Sequence, residues 1–184
     1  MTVGGLILAA GEGRRFGSPK QLADLHGRPL LEYALAAMAQ VQPRVVVLGH
    51  AADEIVSRVD LQGAVPLICG DWAEGQSASL CSGLEALRDC DAVVVVLGDM
   101  PGVTAEAVEA VVAAAGTADA VRATYDGRPG HPVLLGRALL DRAGELRGDR
   151  GFRDLLDDAR VHEVEIGALA DPADIDTREE LARR

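Results

Sequence analysis

Lysine is almost missing from this chain. Of 18 basic residues among 184, 17 are arginine, and the single lysine is Lys20. A sequence that writes arginine wherever a generic positive charge will do marks Lys20 as a place that wants a compact, flexible ammonium instead of a planar fork. Aromatic residues are scarce as well, with one Trp, two Tyr and two Phe, and acids outnumber bases to give a net charge of −11. Nucleic-acid binding and attachment to an anionic membrane surface both rest on clustered Lys and Arg, so neither partner is expected. Long apolar runs are absent. Leu6–Ala10 is too short for a secretory core and has no basic segment before it. No stretch approaches the about 20 apolar residues of a membrane span, and the expected location is the cytoplasm. The three cysteines, Cys69, Cys81 and Cys90, are odd in number and lack CxxC spacing. They are expected to be reduced and buried, with no zinc site.

What is present is an ordinary globular composition, 48% hydrophobic and 26% charged, expected to form one domain over residues 1–184. Strand-like and helical segments alternate. Val3–Ala10, apolar on both faces, reads as a central parallel strand. Pro29–Val41 carries Leu30, Leu31, Ala34, Leu35 and Met38 at helical spacing. Strands follow at Arg44–Leu48, Val65–Cys69 and Ala92–Leu97. Helices are expected near Ala52–Val59, at Ser77–Arg88 with Ser77 as its cap, and at Thr104–Ala115 capped by Thr104. The later half predicts strands at Ala120–Tyr125 and Val133–Leu135 around a turn at Asp126–Gly130. Short helices near Arg137–Glu145 and Gly151–Asp158, a strand at Val161–Ile166 and a closing helix at Thr177–Arg184 complete the chain. The fold class is therefore α/β: three layers, a mostly parallel sheet, helices on both faces. In such folds ligands sit beyond the carboxyl ends of the strands.

The loop leaving the first strand reads Leu8-Ala9-Ala10-Gly11-Glu12-Gly13-Arg14-Arg15-Phe16-Gly17-Ser18-Pro19-Lys20. Three glycines in seven residues let the backbone turn tightly and expose amides to an anion. Arg14, Arg15 and Lys20 add three positive charges to an otherwise acidic chain, which points to a polyphosphate. The Walker pattern is excluded, because Lys20 follows Pro19 and precedes Gln21. The GxGxxG fingerprint is excluded by Phe16 at the third glycine position.

These thirteen residues resemble the signature of the molybdenum-cofactor nucleotidyltransferase-like family, in which the invariant arginine falls on Arg15 and the lysine on Lys20. The resemblance implies a Rossmann-like nucleotidyltransferase fold. It implies that the Leu8, Ala9, Ala10 and Gly11 backbone lies along base and sugar and that Arg15 and Lys20 hold the phosphates, with Gly13 in the same nucleotide-binding loop.

A second candidate closes the valine-rich segment: Asp99, in Gly98-Asp99-Met100-Pro101. A carboxylate at the end of a central strand suits Mg²⁺, which takes one or two carboxylates plus phosphate oxygens; before a proline it also suits a turn. The family resemblance implies the metal role. It further implies that Ser79 borders the nucleoside. Gly130-His131-Pro132-Val133 and Arg147-Gly148-Asp149-Arg150-Gly151 resemble the cytidylyl-transferring branch and imply that His131 and Asp149 border the acceptor; by themselves the two segments read equally as a β-turn and a helix connection. Asp174-Ile175-Asp176-Thr177 resembles a closing family segment, and by itself reads equally as a cap for the last helix.

The reaction so implied is attack by a phosphate of the molybdenum-bound pterin on the α-phosphorus of CTP, with loss of pyrophosphate. Arg15, Lys20 and Asp99 would supply positioning and charge neutralisation rather than a nucleophile. Ala10 stands where the guanylyl-transferring branch typically has Gly, and its methyl favours the smaller cytosine. GTP as donor, sugar- or alcohol-phosphate cytidylyl transfer, and a non-catalytic cofactor-binding assembly factor remain as alternatives. A molybdoenzyme or its chaperone is the expected transient partner.

Overall fold

In the computed structural model, which describes residues 1–146 and 155–184, the main sheet has seven strands. They are β1 (Val3–Ala9), β4 (Arg44–Leu48), β5 (Val65–Ile68), β6 (Ala92–Leu97), β7 (Ala120–Tyr125), β8 (Arg128–Gly136) and β9 (Val161–Glu165); β2 (Asp24–Leu25) and β3 (Arg28–Pro29) form a small separate hairpin. The spatial order is β5-β4-β1-β6-β8-β7-β9. Only β8 runs against the rest, pairing antiparallel with β6 and β7. The chain steps outward from β1 to β4 and β5, then crosses back to lay β6 on the other side of β1. This reversal opens a crevice between the carboxyl ends of β1 and β6.

Helices α1 (Leu31–Ala37), α2 (Ala52–Arg58) and α4 (Ala105–Ala113) cover one face, where Leu35, Ile55 and Val108 pack on Ile7, Val46 and Val94. Helices α3 (Gln76–Ala86) and α5 (Arg137–Leu140) cover the other, where Leu80, Leu84 and Leu139 meet Leu6, Val47 and Val95. Two covered faces explain why β6 is valine throughout its middle, Val93–Val96, with no polar alternation. Fully burying a leucine or isoleucine of this kind is worth about 1.5–3 kcal/mol.

Thr104 caps α4, its Oγ1 accepting from Ala107 N at 3.2 Å. Ser77 does not cap α3. Gly75 holds that position, and Ser77 lies one residue inside the helix, 2% exposed. The late hairpin also differs from expectation. Its turn is only Asp126–Gly127, both at positive φ, and β8 starts at Arg128, five residues before Val133. The expected turn ran on to Gly130, but β8 already pairs with β7 from Arg128, and an irregularity in register between Arg122 and Thr124 accommodates Pro132 on β8. Cys69 and Cys90 are buried, and Cys81 is half-buried with its Sγ donating to Ala143 O. The Arg147–Gly151 segment, with Asp149, and the first residues of the Gly151–Asp158 helix lie outside the described residues.

Candidate active site

Register fixes the centre of the site. Leu8 of β1 stands opposite Leu97 of β6, and Gly98 N donates to Leu8 O at 2.9 Å. The glycine-rich loop and Asp99 therefore leave the sheet side by side. The loop folds on itself through Phe16 N and Gly17 N, which both donate to Gly13 O. Gly13 has φ +68°, and a Cβ there would lie 2.9 Å from Ser18 O, so this turn requires glycine. Phe16 anchors the loop by inserting beside Leu25, Leu30 and Ile175. Arg178, in α6 (Arg178–Ala182), clamps it from outside, donating to Phe16 O and Ser18 Oγ with its guanidinium over the Phe16 ring. Among the described residues, the backbone amides of 11–15 make no hydrogen bond, which leaves a run of donors for an anion.

Lys20 reaches from the far end of this loop to the end of β6. Its Nζ lies 2.6 Å from Asp99 Oδ2 and 2.8 Å from Asp176 Oδ1, and the side chain is 14% exposed. Arg15, 76% exposed, places Nη2 2.7 Å from Asp176 Oδ2. Burial works to lower the Lys20 pKa, but Asp99 and Asp176 outweigh it and the ammonium is held above its usual range. Lys20 in turn holds the Asp176 carboxyl below its usual range. Asp174 shifts the other way, raised by burial and by the charges of Asp176 and Asp99. Asp99, Asp174 and Asp176 each bring a carboxylate oxygen within 4.8 Å of the others. Asp99 Oδ1 is buried without a hydrogen-bond partner among the described residues. An all-oxygen donor set with one acceptor left over fits a hard divalent cation.

The opposite wall belongs to the segment entering α3. Trp72, the sole tryptophan, packs against Gly49, where a Cβ would fall 2.5 Å from its ring and 2.7 Å from Ala10 O. Gly49 thus lets the indole approach the end of β1, and His50 meets it edge to face at 5.6 Å. Beyond Trp72 come Gly75, Gln76 and Ser79. Between these walls lies a cleft of about 490 Å³.

The residues singled out in sequence for nucleotide and metal, Leu8 to Gly11, Gly13, Arg15, Lys20, Ser79 and Asp99, all line this cleft. His131 does not. It sits on β8 with Nδ1 3.4 Å from Val95 O, its carbonyl accepting from Tyr125 Oη, and burial lowers its imidazole pKa against the weaker opposing pull of Asp99. Asp176, Gln21 and Trp72 also line the cleft, though the sequence reading gave them no role there. Asp176 stood in the closing family-like segment, with the cap of the last helix open between it and Thr177; Thr177 makes the cap, with Glu180 completing a capping box, and Asp176 is left to the cleft. Gln21 and Trp72 carried no motif, although a lone tryptophan beside glycines was a usable signal.

The chain is 30% identical to the bifunctional protein GlmU of Xanthomonas axonopodis pv. citri over 89% of its length, but spans only 36% of that protein. It is 29% identical to the nicotine blue oxidoreductase of Paenarthrobacter nicotinovorans, covering 98% of this chain and 95% of that one. Among solved structures, an Rv0371c homologue from Mycobacterium sp. strain JC1 superposes with a TM-score of 0.86 at 33% identity, over 98% and 93% of the two chains. Rv0371c of Mycobacterium tuberculosis in complex with manganese superposes at 0.82 with 25% identity, over 100% and 97%. The MobA-like NTP transferase domain matches residues 5–164, and the chain belongs to that family of nucleotidyltransferases.

Proposed function

We propose that the chain transfers CMP from CTP to a phosphate of the molybdenum-bound pterin cofactor, releasing pyrophosphate, with Mg²⁺ in the cleft. The observation that carries this reading is the meeting of Lys20, Asp99 and Asp176 beside a loop of free amides. In this account the amides of 11–15 and the Arg15 guanidinium hold the triphosphate, and Lys20 turns from the carboxylates toward it. Asp99 and Asp176, with Asp174 at their side, hold the divalent ion, which when bound neutralises phosphate charge and polarises the α-phosphoryl group. The protein forms no covalent intermediate. It aligns the acceptor phosphate with the α-phosphorus and offsets charge as pyrophosphate leaves. Ala10 closes part of the base site and favours a pyrimidine. His131 and Asp149 are assigned to the acceptor side. A cytoplasmic location and transient delivery to a molybdoenzyme or its chaperone complete the proposal.

The near end-to-end likeness to an oxidoreductase favours a second reading, in which the cleft binds a flat ring against Trp72 without nucleotidyl transfer. Incubation with each of the four triphosphates and molybdenum-loaded pterin, with mass detection of the product, separates the two. A cytidylylated pterin supports transfer. Pyrophosphate formed only with GTP, or only with a sugar or alcohol phosphate, keeps the chemistry and replaces the substrate. Absence of pyrophosphate with every pair leaves a redox or purely binding role.

A further inference from the structure

Gln21 follows Lys20 on the same short 3-10 turn, Lys20–Leu22, and is 2% exposed. Its Nε2 donates to Ala9 O at 2.6 Å and to Gly11 O at 3.0 Å, the two carbonyls that flank Ala10. Both partners are acceptors, so the carboxamide stands only one way round, with nitrogen on the carbonyls. Its Oε1 is buried without a partner among the described residues. Ala10 O, between the two, accepts from His50 N at 3.2 Å. Three consecutive carbonyls at the mouth of β1 are thus held by the protein's own donors.

The consequence is electrostatic. A carbonyl oxygen turned into the cleft would repel a triphosphate, whereas an amide attracts it. In a trans peptide the C=O and N–H point in opposite directions, so fixing Gly11 O also fixes the Glu12 amide away from Gln21. A side chain kept here for packing alone would be better apolar, since a buried acceptor without a partner is unfavourable. We infer that Gln21 is a positioning residue for the nucleotide: its carboxamide holds the Ala9 and Gly11 carbonyls out of the cleft and presents the loop amides to the phosphates. This rests on the cleft being the nucleotide site.

Trp72 lines the same cleft, so its emission, checked by calorimetry, reads nucleotide binding without turnover. Mg²⁺–CTP is titrated into the wild type, Gln21→Met and Leu139→Ala, and thermal melts are recorded for each. Gln21→Met keeps the volume and removes both bonds; Leu139→Ala lowers stability from the buried α5 face, away from the cleft. The expected result is CTP binding weakened about tenfold in Gln21→Met, with wild-type affinity in Leu139→Ala despite its lower melt. A folded Gln21→Met within about twofold of the wild type, or an equal loss in Leu139→Ala, overturns the assignment. If Gln21→Met does not fold, Gln21→Glu decides: its carboxyl donates only when protonated, so its affinity relative to wild type must rise from about pH 8 to about pH 5. A pH profile parallel to wild type overturns the assignment. A wild type that binds none of the four triphosphates removes the nucleotide reading itself, and this inference with it.

Discussion

Lys20 Nζ sits 2.6 Å from Asp99 Oδ2, across 79 positions of sequence, and the same ammonium touches Asp176 on its other side. The one lysine of the chain thus stands among the carboxylates assigned to the metal. Lys20 and a divalent ion should therefore compete for them until a triphosphate draws the ammonium away. Lys20→Met is expected to bind Mn²⁺ more tightly than wild type without nucleotide, as read by paramagnetic resonance of the free ion. It should also lose turnover by about 3 kcal/mol in barrier, by analogy with removal of one transition-state charge contact. Unchanged Mn²⁺ affinity would separate Lys20 from the metal, and full activity with a lowered melting temperature would make it a structural residue.

Asp176 and Thr177 are neighbours with different assignments. Asp176→Asn should reduce turnover as Asp99→Asn does, and both should need more Mg²⁺ for half-maximal rate, because each removes a charge from a hard-cation site. Thr177→Ala removes the cap of α6 and should cost about 1 kcal/mol of stability with little change in turnover. Magnesium titrations and melts of the three variants check this. An Asp176→Asn protein with a normal magnesium requirement contradicts the ligand assignment.

Ala10 is buried at the end of β1, with its carbonyl tied to His50. One methyl in an apolar wall discriminates by only about 1–3 kcal/mol. Ala10→Gly should therefore relax a preference for CTP over GTP without reversing it. The comparison is kcat/KM for both nucleotides in both proteins. A wild-type preference for GTP refutes the pyrimidine assignment, and an unchanged CTP preference removes Ala10 from its explanation.

Away from the cleft, Arg160 donates to Asp119 through its backbone amide and its guanidinium, tying β9 to β7. These bonds hold the Asp119 pKa down at about 2. A carboxyl depressed in the folded state contributes its stability above its unfolded pKa, about 3.9, and loses it as pH falls toward the folded value. Asp119→Asn should therefore melt below the wild type at neutral pH and converge on it near about pH 2. Melting curves across that range check the sign, and a constant gap at every pH contradicts it.

How far the sequence could be read depended on where the information lay. The order of strands and helices was legible because two-sided burial forces apolar runs such as Val93–Val96. Lys20 stood out by composition and Asp99 by its place after such a run. Asp176 stayed hidden because its partner Lys20 is 156 positions away, a proximity made only by the fold. Gln21 stayed hidden because its value lies in two backbone carbonyls, which leave no pattern of side chains. The start of β8 was misplaced because residues 128–132 have no apolar alternation, and their pairing with β7 runs through a register shift that the fold alone reveals.

The central claim is that the meeting of Lys20, Asp99 and Asp176 serves nucleotidyl transfer. Its most direct test is pyrophosphate release from CTP in the presence of molybdenum-loaded pterin, with Mg²⁺ and after chelation, for wild type and Asp99→Asn. The account predicts one pyrophosphate per cytidylylated pterin in the wild type, lost on chelation and lost in most part in a folded Asp99→Asn. Release that survives both treatments, or no release from any triphosphate with any phosphorylated acceptor, would contradict it.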